Sequence, residues 1–193
     1  MTAEHRKQIT DIRALRTLAD PVRYRILGHL MAVGAQTASQ CAAVVGESAS
    51  NCSYHLRELA RYGLVERDPS IATDGRERRW RPTATGFSYG VPDGEPSDPV
   101  ATIANRQLLH AGVDDEASLA HAAVERHDEL PPDWQGAETM ATYGLLVDPA
   151  ELTALTAAVD ALIRPYLALT REDPPADALA VHVGFRAFRR PGS

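Results

Sequence analysis

The residues whose chemistry is most informative lie between positions 48 and 61. Cys52, Leu56 and Leu59 recur there at helical spacing and mark one face of an amphipathic helix. Hydroxyl and amide groups near the N-terminal end of such a helix can reach base edges in the major groove of DNA, and arginines further along can hold phosphates. An ordinary helix with a solvated polar face would show a similar pattern. The polar side chains concerned are Ser48, Ser50, Asn51, Ser53, Tyr54, Arg57 and Arg61.

Three arginines lie close to the dipeptide Asp74-Gly75, which is typical of a tight turn. Short strands are predicted over residues 64–67 and 78–81, and Asp-Gly is a favoured dipeptide in the turn of a hairpin. Guanidinium groups on such a hairpin are placed to contact phosphates or the minor groove. The arginines are Arg76, Arg78 and Arg79.

One pattern suggests catalysis, but its context does not fit. Residues 86–90 match the Gly-X-Ser-X-Gly motif of the nucleophile elbow. That elbow follows a buried apolar strand, whereas residues 78–85 are rich in Arg and Thr, and too little chain follows to build a hydrolase sheet. The sequence has no phosphate-binding loop, dinucleotide fingerprint or His-Glu-X-X-His motif. No catalytic residue and no cofactor are therefore predicted.

Metal binding is also poorly supported. Cys41 and Cys52 are the two cysteines of the chain, and both fall on inward helical positions, so they are interpreted as small core residues. His121, Glu125 and Asp128 share one face of a predicted helix, but charged helices often carry such triplets by chance. We therefore expect no metal site.

Four helices are predicted before the hairpin, and the fourth of them carries the polar side chains of residues 48–61. Asp20-Pro21 is a strong helix start, because an N-cap acid precedes proline at the first helical position. Thr37 and Ser48 can cap two further helices that are separated by a glycine-containing turn, which is the arrangement of a helix-turn-helix. A hairpin directly after it makes a winged helix. The helices run over about residues 9–19, from Pro21 to Gly34, from Thr37 to Gly46 with Cys41, Val44 and Val45 inward, and from Ser48 to Gly63.

Three segments of this region resemble the ArsR/SmtB-type winged-helix repressors. They are residues 18–27 (LADPVRYRIL), residues 53–59 (SYHLREL) and residues 62–65 (YGLV), and the resemblance covers about residues 9–87. It implies a dimeric transcription factor whose fourth helix reads an imperfect inverted repeat. It also implies that Ser50, Asn51, Ser53, Tyr54 and Arg57 face DNA, while His55, at the usual histidine of the family, is expected to be packed or hydrogen-bonded.

Metal-sensing members of this family carry a Cys-X-Cys pair in the third helix. The matching positions are Thr37 and Ser39 in this sequence. Hydroxyls do not replace thiolates as ligands for soft metalloids, so sensing of the arsenic type is disfavoured. Thr37 is instead counted among the residues expected to contact DNA.

The chain divides where residues 90–99 place three prolines and two glycines in ten positions. Residues 1–90 carry 13 Lys and Arg against 9 Asp and Glu, whereas residues 91–193 carry 7 against 17. This asymmetry suggests that only the first half meets a polyanion. We predict a DNA-binding domain over 1–90, a linker over 91–99 and a dimerisation or ligand-sensing domain over 100–193.

The second half has a weaker pattern. Helices are predicted over about 99–112 and 114–129, the latter with Leu119 inward, and a third after Asp148-Pro149. Strands are predicted over 138–147 and 179–188, where apolar and polar residues alternate. The aromatic residues available to line an effector pocket are also those that an ordinary small core would use; they are Trp134, Tyr143, Tyr166 and Phe185.

Together these observations predict a mainly α protein with small β elements, in which a winged helix-turn-helix is followed by an α+β C-terminal domain. The predicted function is that of a sequence-specific, double-stranded-DNA-binding transcriptional regulator, a homodimeric repressor with a possible small-molecule effector. The alternative is a winged-helix protein-interaction module without sequence-specific DNA binding. Two cysteines, a polar N-terminus and the lack of a long apolar run predict a cytoplasmic protein without a membrane association.

Overall fold

The computed structural model describes residues 6–69, 78–89, 98–190 and 192. The described chain is mainly helical with two small sheets, as the sequence predicts. The strands are β1 (Arg6–Ile9), β2 (Val65–Arg67), β3 (Trp80–Pro82) and β4 (Gly86–Tyr89). The helices are α1 (Ile12–Leu18), α2 (Pro21–Val33), α3 (Ala38–Val45), α4 (Ala49–Arg61), α5 (Pro99–Arg126), α6 (Pro132–Ala137) and α7 (Pro149–Ile163), with 3-10 turns at His127–Glu129 and Arg164–Tyr166.

The chain forms two compact units. The first comprises the residues up to Asp115 together with Leu167–Val181, and the second comprises Glu116–Tyr166 and the residues from His182 onward. The division at Asp115 falls within α5. Of the linker predicted over 91–99, residues 91–97 lie outside the described part of the chain.

Short polar side chains begin the helices of the first unit where the sequence places them. The carboxylate of Asp20 accepts a 3.0 Å hydrogen bond from the backbone N–H of Arg23, and Pro21 is the first residue of α2. Each such cap satisfies one backbone donor that the first turn leaves without a partner. Gly46 ends α3 at φ +73°, a left-handed conformation that favours glycine and turns the chain toward α4.

One core holds these helices together. Leu18 of α1, Ile26 and Leu30 of α2, and Leu56 and Leu59 of α4 are all fully buried. Leu108 of α5 and Trp80 of β3 belong to the same cluster. The apolar stripe that the sequence assigns to α4 is thus the side that fixes this helix, and its opposite side is left outward.

The N-terminal helix is shorter than predicted because the chain before it forms a strand. β1 pairs in parallel with β4, with Ile9 opposite Tyr89, and α1 begins only at Ile12 after an N-cap at Asp11. Ile9 is buried in the sheet and not on a helix face. Val44, predicted inward, is 51% exposed, because its neighbour Val45 supplies the buried side of α3.

The two helices predicted over 99–129 form one continuous helix, α5, of 28 residues. Gly112 does not interrupt this helix. It allows Tyr24 of α2 to pack closely against α5, because a Cβ at position 112 would lie 2.8 Å from the hydroxyl oxygen of Tyr24. Leu119, predicted inward, is 43% exposed. The start of α7 agrees with the prediction, since Asp148 caps it and Pro149 is its first residue.

The strands predicted over 138–147 and 179–188 are not formed in the structure. Neither segment belongs to a sheet among the described residues, and Tyr143 and Leu146 are strongly exposed. Alternating apolar residues indicate that a segment suits a half-buried strand, but a strand also needs a partner for its backbone hydrogen bonds, which a single segment does not encode. The part of the chain that the structure describes contains no helix that is long and apolar enough to cross a membrane.

The two thiols are core groups, and we expect both to resist alkylation in the native protein. Cys41 and Cys52 are fully buried. Burial, followed by the charge of Cys52, raises the pKa of Cys41 to about 11 from an ordinary 9.0, and burial also raises the pKa of Cys52. At pH 8 this leaves Cys41 with about one hundredth of its usual thiolate. Iodoacetamide labelling followed by mass spectrometry should modify both thiols only under denaturing conditions.

The raised pKa of Cys41 also makes the stability of the protein depend on pH in the alkaline range. Between about pH 9 and 11 the unfolded chain releases the Cys41 proton before the folded chain does, so the free energy of unfolding should fall with rising pH in that window. Cys41→Ala should weaken this dependence. Rapid native labelling of Cys41 at pH 8 would contradict the burial of its thiol.

Candidate nucleic-acid interface

The helix-turn-helix consists of α3 and α4, and the hydroxyls predicted to contact DNA begin both helices. Oγ1 of Thr37 accepts a 3.2 Å hydrogen bond from the N–H of Gln40, whose side-chain oxygen in turn accepts from the N–H of Thr37 at 2.8 Å. Oγ of Ser48 accepts at 3.1 Å from the N–H of Asn51. Each hydroxyl can still donate its proton outward, so both remain compatible with a phosphate contact.

The outward side of α4 carries side chains of mixed chemistry. Ser50 and Arg57 are exposed, Ser53 is half-buried, and Tyr54 is 49% exposed. The side-chain amide of Asn51 donates a 2.7 Å hydrogen bond to the Glu47 carboxylate. This amide N–H can donate to a DNA base only if its hydrogen bond to Glu47 is broken.

The two arginines of α4 differ in their surroundings. Arg61 lies 3.1 Å from the Glu58 carboxylate one turn earlier, and this hydrogen bond raises the pKa of Arg61. No acidic group among the described residues pairs with Arg57 in this way. The positive charge of Arg57 is therefore the less compensated of the two.

His55 lies on the buried side of the same helix. It is 7% exposed, and its ring meets that of Tyr54 edge-on at 5.5 Å between centroids. Its Nδ1 has no hydrogen-bond partner among the described residues. The histidine that the sequence places next to Tyr54 is thus packed away from the outward side.

The wing is an antiparallel ribbon of β2 and β3. Glu66 lies opposite Arg81, and the two side chains form an ion pair at 2.7 Å across the ribbon. Trp80 exchanges two backbone hydrogen bonds with Gln36, of 2.7 and 3.0 Å, which fix β3 to the turn that leads into α3. The ribbon and the helix-turn-helix are thereby held as neighbours.

Sequence reasoning missed Arg67, an arginine of the wing that two contacts hold in place. The guanidinium of Arg67 stacks 3.7 Å from the centroid of the Trp80 ring and donates a 3.0 Å hydrogen bond to the carbonyl oxygen of Arg78. The sequence pattern does not distinguish Arg67, because it is one of several arginines in the hairpin region. Only the strand register, which places Arg67 opposite Trp80, distinguishes it.

The predicted arginines of the wing are only partly within the described chain. Arg78 is exposed and Arg79 half-buried just before β3. Together with Arg67 and Asp68 they line a surface depression. Arg76 and the Asp74-Gly75 turn lie outside the described residues.

The motif resembling a nucleophile elbow has a different structure from that of an elbow. Residues Gly86–Tyr89 form strand β4 and not a strand-to-helix turn. The Ser88 hydroxyl donates a hydrogen bond to the side-chain carbonyl of Gln8 in β1. In the described chain, no three His, Cys, Asp or Glu side chains come together as a metal site would require.

The aromatic residues predicted to line an effector pocket all belong to the second unit. Trp134 is half-buried, whereas Tyr143, Tyr166 and Phe185 are exposed by 80%, 67% and 47%. The rings of these last three residues are therefore largely open to solvent.

Comparison with known proteins identifies one segment of the first unit. Residues 18–68, which run from the end of α1 to just after β2, match the family model described as a helix-turn-helix domain. A solved structure titled "Possible transcriptional regulator for arsenical resistance" is 30% identical; the match covers 57% of this chain and 94% of that chain, with a TM-score of 0.33. Residues 18–68 are therefore assigned to the helix-turn-helix domain family.

Two further solved structures match the chain at lower identity. RV1404 from Mycobacterium tuberculosis is 18% identical, with 79% of this chain and 81% of that chain covered and a TM-score of 0.31. A MarR family transcription regulator, SP03579, is 20% identical, with 83% and 80% covered and a TM-score of 0.34. No curated protein matches the chain. The helix-turn-helix match lies within the first unit.

Proposed function

We propose that this protein is a transcriptional regulator, a homodimeric repressor that reads an inverted-repeat operator with α4 and the β2–β3 ribbon. The observation that carries the proposal is the outward side of α4, where Tyr54 and Arg57 are exposed beside a ribbon with exposed arginines. Recognition helices enter the major groove by their N-terminal part, where Ser50, Asn51 and Ser53 are found. Their hydroxyl and amide groups suit base edges, and the arginines suit phosphates.

A second copy of the chain is the partner that the operator symmetry requires. Two-fold symmetric proteins bind inverted repeats because each recognition helix reads one half-site. Apolar side chains in the second unit support this part of the proposal, since Leu146, Leu162 and Phe188 are each at least 70% exposed. Burial of these side chains against a second copy would remove apolar surface from water, which favours association. The region 100–193 is thus proposed to serve dimerisation.

A small-molecule effector is a further part of the proposal, and the exposed aromatics of the second unit are its candidate contacts. An arsenical effector is not proposed, although one similar structure is titled with arsenical resistance. Soft metalloids require thiolates, and this chain has Thr37 and Ser39 at the positions of the usual pair. Its two thiols, Cys41 and Cys52, are fully buried.

The proposal is tested by selecting bound sequences from a random duplex library at about 150 mM salt, where non-specific phosphate binding is weak. We expect enrichment of a short inverted repeat with half-sites about one helical turn apart. Arg57→Ala combined with Arg78→Ala should reduce affinity for that repeat about 100-fold, since each lost contact costs on the order of tenfold. Arg16→Ala removes one exposed charge from α1 and serves as the control, with affinity close to that of the wild type.

Two outcomes would contradict the proposal. Enrichment of no sequence, with or without cell extract as a source of effector, would favour the protein-interaction module. Light scattering gives the second readout, since a dimer has twice the 20.9 kDa mass of the chain. A monomer that binds single, asymmetric sites would contradict the dimeric part alone.

A further inference from the structure

Arg67 is fixed in place before any ligand binds. Its guanidinium lies flat on Trp80, which is itself only 6% exposed and hydrogen-bonded to Gln36 through both backbone groups. Its Nη1 also donates to the carbonyl oxygen of Arg78. A long side chain held at two points loses little further conformational freedom when it binds a ligand.

The charges of two further arginines act on this side chain. Partial burial, followed by the charges of Arg78 and Arg57, lowers the pKa of Arg67. Arg57 belongs to the recognition helix α4, Arg67 to β2, and Arg78 to the segment before β3. Guanidinium groups stay protonated in proteins, so this repulsion persists in the free regulator and is relieved by an anion.

The surface beside Arg67 is concave, and its described lining is mostly cationic. Among the described residues, Arg67, Arg78 and Arg79 line the depression together with the carboxylate of Asp68. Guanidinium groups present several N–H donors in a planar fork that matches the oxygens of a phosphate. A singly or doubly charged tetrahedral anion therefore has the chemistry that this depression favours.

We propose that Arg67, assisted by Arg57 and Arg78, forms a preorganised phosphate site at the junction of the recognition helix and the wing. The identification of its ligand as a DNA backbone phosphate rests on the proposed function. The site would fix one backbone phosphate between the two elements that flank it and so set the angle at which α4 enters the groove. Arg67 is then a phosphate-binding residue in its own right, and Trp80 is a positioning residue that acts through it.

Inorganic sulfate is the probe that tests the site without DNA. The thermal unfolding midpoint is measured in about 2–20 mM sulfate, a range that suits a site whose affinity for sulfate is on the order of millimolar. Chloride at equal ionic strength is the reference, because it matches the screening of charges. We expect a midpoint about 2–5 °C higher for the wild type in sulfate. Sulfate also stabilises proteins without binding a site, so the readout is the difference between variants. Arg67→Ala should lose the increase, and Arg16→Ala should keep it.

Two further variants keep the test decisive if Arg67→Ala is poorly folded. Arg67→Lys retains the charge but loses the flat stack and the fork, and it should retain only part of the increase. Asp68→Asn removes the carboxylate from the depression and should enlarge the increase. An equal sulfate response in wild type, Arg67→Ala and Arg67→Lys overturns the proposal.

Binding to a duplex of arbitrary sequence tests whether the site serves DNA. Arg67→Ala should lower this affinity about tenfold at about 100 mM salt and reduce the salt-dependence slope by about one. An unchanged slope would assign the site to a free anion and not to DNA. Failure to select an operator would leave the sulfate response intact, so the two proposals fail separately.

Discussion

Replacing Trp80 with alanine is expected to lower the free energy of unfolding by about 3–5 kcal/mol, the range for truncation of large buried aromatic residues. The indole is 6% exposed and belongs to the core cluster of the first unit. It also carries the stacked guanidinium of Arg67, and its backbone joins β3 to Gln36. Alanine would leave a cavity beneath the ribbon that the short strands β2 and β3 have little means to close.

Urea unfolding followed by circular dichroism measures this loss, because tryptophan fluorescence would change with the substitution itself. Trp80→Phe is the matched variant: it keeps an aromatic face for Arg67 and most of the buried area, so we expect a loss of about 1–2 kcal/mol. A loss below about 1 kcal/mol for Trp80→Ala would show that the ring does not support the core. Binding to DNA should weaken in Trp80→Ala more than in Trp80→Phe, because only the former loses the platform of Arg67.

The helix-turn-helix could be predicted closely because its signals are local. Asp20, Thr37 and Ser48 each cap a helix within three residues of themselves, and Gly46 ends α3 through its own backbone conformation. Such signals need no knowledge of distant residues. The bounds of α2, α3 and α4 therefore agree with the sequence almost to the residue.

The missed elements depend on pairings between distant residues. Ile9 follows a helical spacing with the residues after it, yet it lies in β1 because Gly86–Tyr89, far along the chain, offers a parallel partner. The same limitation explains Arg67, whose importance comes from the strand opposite it. The segments 138–147 and 179–188 show the reverse error, in which an alternating pattern predicted strands that have no partner among the described residues.

Substitutions at Leu56 and Tyr54 should distinguish the two roles of α4, which are packing in the core and the proposed contact with DNA. Leu56 is fully buried, and Leu56→Ala is expected to lower the free energy of unfolding by about 2–5 kcal/mol, since it removes contacts and leaves a cavity among α1, α2 and α4. Tyr54 is 49% exposed on the other side, and Tyr54→Ala should change stability by no more than about 0.5–1 kcal/mol. Urea unfolding of both variants measures the difference.

The DNA affinities of the same two variants complete the argument. Tyr54→Ala should weaken binding to the selected operator about tenfold while leaving binding to unrelated duplexes nearly unchanged, because it removes the base contact that we propose for Tyr54 and no charge. Leu56→Ala, measured well below its lowered unfolding temperature, should bind the operator within about threefold of the wild type, because its side chain never reaches DNA. If Tyr54→Ala instead destabilised the protein as much as Leu56→Ala, the outward side of α4 would be part of the core and not a reading surface.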